Sequence, residues 1–210
     1  MPVSPTPPTS FKVNTWLALG DSYTIGQGVT ENERYPFQTV QLLKAAGVTI
    51  DTLDYIAHTG WMTVDLMRNI EQANPRNHSI VSLLIGVNDQ YQGVPAEDYR
   101  VRFRTALGKA IGLAGGKKEN VVVISIPDYG VTPYSSQADT IKIRKEIDLF
   151  NEINREETGK FGCPYLYITT SSRMARDNRD LICPDGLHHS GLEYGKWAQG
   201  LAPLIQQMLK

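Results

Sequence analysis

The segment from Asn120 to Pro127 reads NVVVISIP, a run dense in β-branched side chains that stops at a proline. Such a run predicts a strand covered on both faces, because it has no regular polar side to turn to water. Comparable runs recur as TWLAL (Thr15–Leu19), VTIDTLDYI (Val48–Ile56), SIVSLLIG (Ser79–Gly86) and the shorter PYLYI (Pro164–Ile168). Between them lie longer amphipathic segments. PFQTVQLLKAAG has Pro36 suited to a first helical turn and Gly47 to a stop. TVDLMRNIEQA, PAEDYRVRFRTALGKAIGLAG and SSQADTIKIRKEIDLFNEINRE follow, and a last helix is expected from Gly191 to Lys210. Strands alternating with helices of this length imply right-handed βαβ crossovers and a parallel sheet covered on both faces. In such sheets ligands bind outside the carboxyl ends of the strands. The residues to inspect therefore follow Leu19, Ile56, Ile85, Ile126 and Ile168.

At 210 residues the chain can bury a full core, and one domain over residues 12–210 is expected after a flexible lead-in over residues 1–11, MPVSPTPPTSF. That lead-in has no basic or apolar region of the kind a signal peptide needs, which favours the cytoplasm unless a leader precedes it. The 21 basic and 22 acidic residues nearly cancel, so no nucleic-acid partner is expected. No stretch approaches the roughly 18–20 apolar residues needed to span a bilayer. Oligomeric state stays open. For a core of this size no disulfide is required, and Cys163 and Cys183 are expected as two reduced thiols, with one bond pinning the late loop as the alternative.

Gly20-Asp21-Ser22 follows the first strand, and AHTGWM, with Gly60, follows the second. IGVNDQY, with Asn88, follows the third, PDYGVTP the fourth, and PDGLHHSG, with Asp185 and His188, comes late in the chain. A serine, a glycine turn, an amide and an acid–histidine pair are the parts that acyl transfer to water demands. A serine hydroxyl attacks only when a base takes its proton, and imidazole, with an ordinary pKa of about 6.5, can do so near neutrality. An acid on the other ring nitrogen sets the tautomer and stabilises the imidazolium. The tetrahedral intermediate needs fixed donors, and the Ser22 amide, the Gly60 amide and the Asn88 side chain are candidates. The glycines of GDSYTIGQG spell neither GxGxxG nor a P-loop, and no GxSxG appears.

The blocks ALGDSYTIGQG, AHTGW, LLIGVNDQY and DGLHHSG resemble, in order and spacing, those of the SGNH (GDSL-like) hydrolase family of esterases and lipases. The similarity runs from about Leu17 to Tyr194, and IPDYGVTP is similar to a segment of bacterial members. The resemblance implies Ser22 as nucleophile, His188 as base and Asp185 as its orienting acid. It implies Ser22, Gly60 and Asn88 as oxyanion donors, and a flavodoxin-like three-layer α/β/α sandwich with a parallel five-stranded sheet. Many members have proline where this chain has His189, and Asp185 to His189 is also a helical spacing. The family block places the base three after the aspartate, at His188.

The expected substrate is a small or single-chain carboxylic ester, with Trp61, Gln90, Tyr91, Tyr129 and Val131 as candidate pocket residues because they follow the same strand ends. Acyl transfer to an alcohol, thioester cleavage and a silent binding module are the alternatives. No metal or other cofactor is expected, since nothing joins the adjacent histidines at ligand spacing. His58 and His78 are expected at the surface or a helix edge, and Asp89 as a cap for the segment after it. Asn151 and Asn154 are expected as a structural pair on one helix, and Trp197 in packing.

Overall fold

The computed structural model describes residues 13–210, so the lead-in over residues 1–11 lies outside the described residues. Five strands form one sheet: β1 (Thr15–Gly20), β2 (Thr52–Ala57), β3 (Ile80–Leu84), β4 (Val121–Ile124) and β5 (Tyr165–Leu166). All neighbours are parallel, in the order β2-β1-β3-β4-β5. The register sets Leu19 beside Ile56 on one side and Leu83 on the other.

After β1 come the single turn α1 (Ser22–Ile25) and helix α2 (Tyr35–Ala45). Helices α3 (Thr63–Ala73), α4 (Val87–Tyr91) and α5 (Ala96–Leu113) flank β3 in the chain. Then come α6 (Thr140–Phe161), α7 (Thr169–Arg173) and α8 (Gly191–Met208). Helix α2 packs on α8, whereas α5 packs on both α3 and α6, so the sheet carries one helical layer on each side. This is the three-layer sandwich that the sequence predicts.

The inner strands are apolar throughout because both faces are covered. Trp16, Leu17, Leu19, Val81, Leu83, Val122 and Val123 are all buried, each such side chain contributing about 1.5–3 kcal/mol. The indole N–H of Trp16 donates to Ser82 Oγ at 3.0 Å, so its one polar atom is satisfied inside the core. Trp197 is buried too, as expected.

Some boundaries differ from the pattern in the sequence. β2 begins at Thr52 rather than Val48, because the Val48 N–H closes the end of α2 on Leu43 O and the Asp51 N–H bonds Asn14 O. Helix α6 begins at Thr140, where Asp139 Oδ1 accepts the Lys142 N–H at 2.9 Å, and Ser135 belongs to a separate 3-10 turn (Pro133–Ser135). The last strand is two residues long, since the N–H groups of Ile168 and Thr169 bond to Ser125 Oγ. His78 is buried, not at the surface, with Nε2 2.9 Å from Asp54 Oδ2. Cys163 and Cys183 are free thiols.

From β1 the chain moves outward to β2 and then crosses back to β3 on the far side of β1. Where the direction reverses, a crevice opens between the carboxyl ends of β1 and β3.

Candidate active site

Strand β1 delivers the chain into that crevice. Asp21 caps the turn α1: its Oδ1 accepts the Tyr23 N–H at 3.0 Å, and its carbonyl accepts those of Thr24 and Ile25 at 3.1 Å. A serine at a helix start ordinarily does the capping itself. Here Asp21 does it, so the Ser22 hydroxyl is left for the pocket that Ser22 borders, and the Ser22 N–H stands outside the turn's own bonding. Gly20 is required by space, since a Cβ there would strike the Thr24 side chain and the Leu84 carbonyl.

Asp21 is fully buried and its Oδ2 has no partner. Burial pushes its carboxyl up to about 8, and the nearby charge of Asp89 adds to the rise against the pull of the Tyr23 N–H. The group next to Ser22 is thus a neutral acid near pH 7. Nothing in the local sequence signals this, because it depends on complete enclosure.

The second half of the site is the loop from Cys183 to Ser190, pinned by an antiparallel bridge between Ile182 and His189. Asp185 Oδ1 accepts the N–H groups of Leu187 and His188 at 2.9 and 3.0 Å, and Oδ2 lies 2.7 Å from His188 Nδ1. Burial acts to raise the Asp185 pKa, but the His188 ring and the two backbone donors outweigh it and hold the carboxyl below its usual value. With Nδ1 engaged by the carboxylate, Nε2 is the nitrogen left for the pocket. His189 is fully buried, with Nδ1 3.3 Å from Leu181 O and Nε2 without a partner. Its ring packs 5.3 Å from that of Trp197, and burial lowers its pKa to about 4. The geometry therefore separates the two adjacent imidazoles.

The other expected donors follow β2 and β3 in the chain. Gly60 sits in a turn closed by the Trp61 N–H on His58 O, at φ 81°. Asn88 Nδ2 donates to Trp61 O at 3.0 Å, which uses one amide hydrogen and leaves the other. Gly86 gives the entry to α4 its φ of 126°, and a side chain there would collide with the Tyr99 ring. Asp89 accepts the Thr63 N–H at 2.8 Å through Oδ2. It caps α3, which precedes it, rather than the segment after it, because the chain leaving β3 meets the loop before α3, where Asn88 also bonds Trp61 O.

Ser22, Gly60, Asn88 and His188 all border one pocket of about 170 Å³, whose further walls include Tyr23, Thr59, Val87, Tyr91, Tyr129, Tyr134 and Leu187. Of the expected pocket residues, Tyr91 and Tyr129 are among these walls. Trp61, Gln90 and Val131 are not in the lining. Trp61 stacks on His58 and reaches the site through its carbonyl. Gln90 is buried and donates to Glu146 at 2.8 Å, while Val131 packs with Ala175 and Leu181. Tyr134 and Leu187 were missed because they border the pocket through chain folding, not through position after a strand. Among the described residues no group of three or more His, Cys, Asp or Glu could hold a metal ion, and no helix is long and apolar enough to cross a membrane.

Residues 18–194 match the family of GDSL-like lipases and acylhydrolases. The chain belongs to that family. This GDSL-like hydrolase shares its fold with the psychrotrophic esterase EstA from Pseudoalteromonas sp. at 17% identity and a TM-score of 0.66, the match covering 93% of this chain and 98% of that one. A lipase/acylhydrolase from Enterococcus faecalis gives 19% identity and 0.68, covering 93% and 96%. The acetyl xylan esterase AlAXEase gives 19% and 0.71, covering 91% and 99%. Among curated proteins none matches in sequence. Membership of the family assigns ester hydrolysis in general to the chain.

Proposed function

We infer that this hydrolase cleaves carboxylic esters of small or single-chain acyl groups through a covalent acyl-serine intermediate. One observation carries the reading: Ser22 and His188 border the same pocket while Asp185 lies 2.7 Å from the opposite ring nitrogen of that histidine. Ser22 Oγ attacks the ester carbonyl carbon as His188 Nε2 takes the hydroxyl proton. Asp185 stays ionised, its carboxylate favoured by two backbone donors, and stabilises the imidazolium.

The carbonyl oxygen, now negative, draws on the N–H groups of Ser22 and Gly60 and on the second amide hydrogen of Asn88. The tetrahedral species collapses as His188 returns its proton to the leaving alcohol. Water then enters and attacks the acyl carbon as His188 takes its proton, and the Ser22 Oγ–carbon bond breaks as His188 returns that proton to Ser22 Oγ, releasing the acid. Removing one oxyanion donor, as in Asn88→Ala, is expected to lower kcat by about 10²–10³-fold.

The test is covalent labelling with a fluorophosphonate probe alongside p-nitrophenyl acetate cleavage. The wild-type chain should label and turn over, and Ser22→Ala should do neither. Labelling that persists in Ser22→Ala, or a wild-type chain that neither labels nor cleaves, would overturn the reading.

A further inference from the structure

Two tyrosines from distant parts of the chain meet at the pocket. Tyr91 ends α4 and Tyr134 lies in the 3-10 turn Pro133–Ser135, and their hydroxyls are hydrogen-bonded at 2.8 Å. Both border the pocket, yet Tyr91 is 51% and Tyr134 52% exposed, so the joined hydroxyls stand between pocket and solvent. Tyr129, itself buried, meets the Tyr91 ring edge-on at 5.8 Å and backs it from within.

Each side of this bridge is fastened to a different half of the site. Tyr91 shares its short helix with Asn88, and the Tyr134 N–H donates at 2.9 Å to Gly186 O, inside the loop that carries Asp185 and His188. The pocket is open to solvent on one side, and the room within it is small. A cavity of about 150 Å³ lined by apolar groups takes a benzene molecule, and this pocket of about 170 Å³ has room of the same order.

We propose that the Tyr91–Tyr134 bridge is a clasp that narrows the acyl pocket at its rim and favours short acyl chains, of about six carbons or fewer. This rests on the serine-esterase reading above. Longer chains meet the joined rings at the rim, so breaking the bridge should relax chain-length selection, read as octanoate cleavage relative to acetate in the same protein.

The experiment measures kcat/KM on p-nitrophenyl acetate, butyrate and octanoate for wild type, Tyr91→Phe, Tyr134→Phe, the double Phe variant and Tyr134→Ala. Each protein is also labelled with the fluorophosphonate probe to count intact sites. Wild type should favour acetate or butyrate over octanoate by about tenfold or more. Either Phe variant should raise the octanoate-to-acetate ratio several-fold. The double variant should add little to a single one, because both substitutions remove the same bond. Tyr134→Ala, which removes the wall as well, should raise the ratio further.

A wild type that prefers octanoate, or variants that label normally and keep the wild-type ratio within twofold, would overturn the clasp while leaving the esterase reading intact. A wild type that neither labels nor cleaves any of the three esters would remove both.

Discussion

His188 and His189 are neighbours in the chain and opposites in environment. One is held by a carboxylate at the edge of a pocket; the other is enclosed against Trp197 and lowered to a pKa of about 4. Their substitutions should therefore fail in different assays. His188→Ala should lose at least about 10³-fold in ester turnover with a melting temperature near that of wild type. His189→Ala should keep its serine labelling in the cold but lose about 2–4 kcal/mol of stability through the cavity left beside Trp197, read by urea unfolding. Equal loss of turnover in both would undo the assignment of the base.

Asp21 gives a prediction in pH. Its folded pKa is raised to about 8 from the ordinary aspartate value of 3.8. Between those limits the unfolded chain has released the proton and the folded one has not, so this group weakens the fold increasingly as pH climbs. Asparagine caps a helix as well as aspartate does and carries no charge. Asp21→Asn should accordingly gain stability over wild type from pH 4 to pH 8, by at most about 1.4 kcal/mol per pH unit. Parallel melting curves across that range would contradict the shift.

Single elements are held in place by side chains that substitute for backbone. Where β4 ends, Asn151 on α6 accepts the Ile126 N–H at 2.8 Å and donates to Ile126 O at 3.0 Å, continuing the ladder with a side-chain amide. Asn154, one turn on, accepts the Tyr99 hydroxyl at 2.7 Å and joins α6 to α5. The sequence marks the two as a structural pair, and this is the structure they serve.

The same two helices are clamped by Glu157, whose side chain is buried with Arg104 at 2.7 Å, Lys160 at 2.8 Å and Arg100 at 3.1 Å. The bond from Arg104 leads the lowering of its pKa to about 2, with Lys160 and Arg100 adding, against the opposing effect of burial. A carboxylate lowered in this way stabilises the fold above its unfolded pKa, and that support disappears as pH falls through about 4 toward 2. Since the cationic partners reach water, Glu157→Gln should cost only about 1–2 kcal/mol at pH 7. The difference from wild type should vanish near pH 2. A loss that persists at that pH would mean the contribution is packing, not charge.

Across the whole molecule, the sheet brings residues from opposite ends of the chain to one edge. Ser22 follows β1, Gly60 follows β2, Asn88 follows β3, and the Asp185–His188 loop precedes α8. The reversal of strand order at β1 places the first three around one crevice. Asp89 ties two of these segments together through Thr63, and Asn88 does so again through Trp61. Asp89→Ala should therefore slow turnover by about tenfold or more through displaced donors while the serine still labels. Leaving the Thr63 N–H without its acceptor should also cost about 1–3 kcal/mol in unfolding. Unchanged kcat with lowered stability would make the tie purely structural.

Strand and helix order, and the place of the candidate site residues at strand ends, were legible in the sequence alone because they follow from local causes: β-branched runs, helical spacing and turn-forming glycines act within a few residues. Distances between remote side chains, and their access to water, have no such local signature. The folded structure alone decided that Asp89 caps an earlier helix, that Asp21 is sealed from water, that His189 is buried while His188 borders the pocket, and that Tyr134 rather than Val131 walls it. Burial and through-space contact set pKa values and pocket shape, and both arise only when segments separated by tens of residues are packed together.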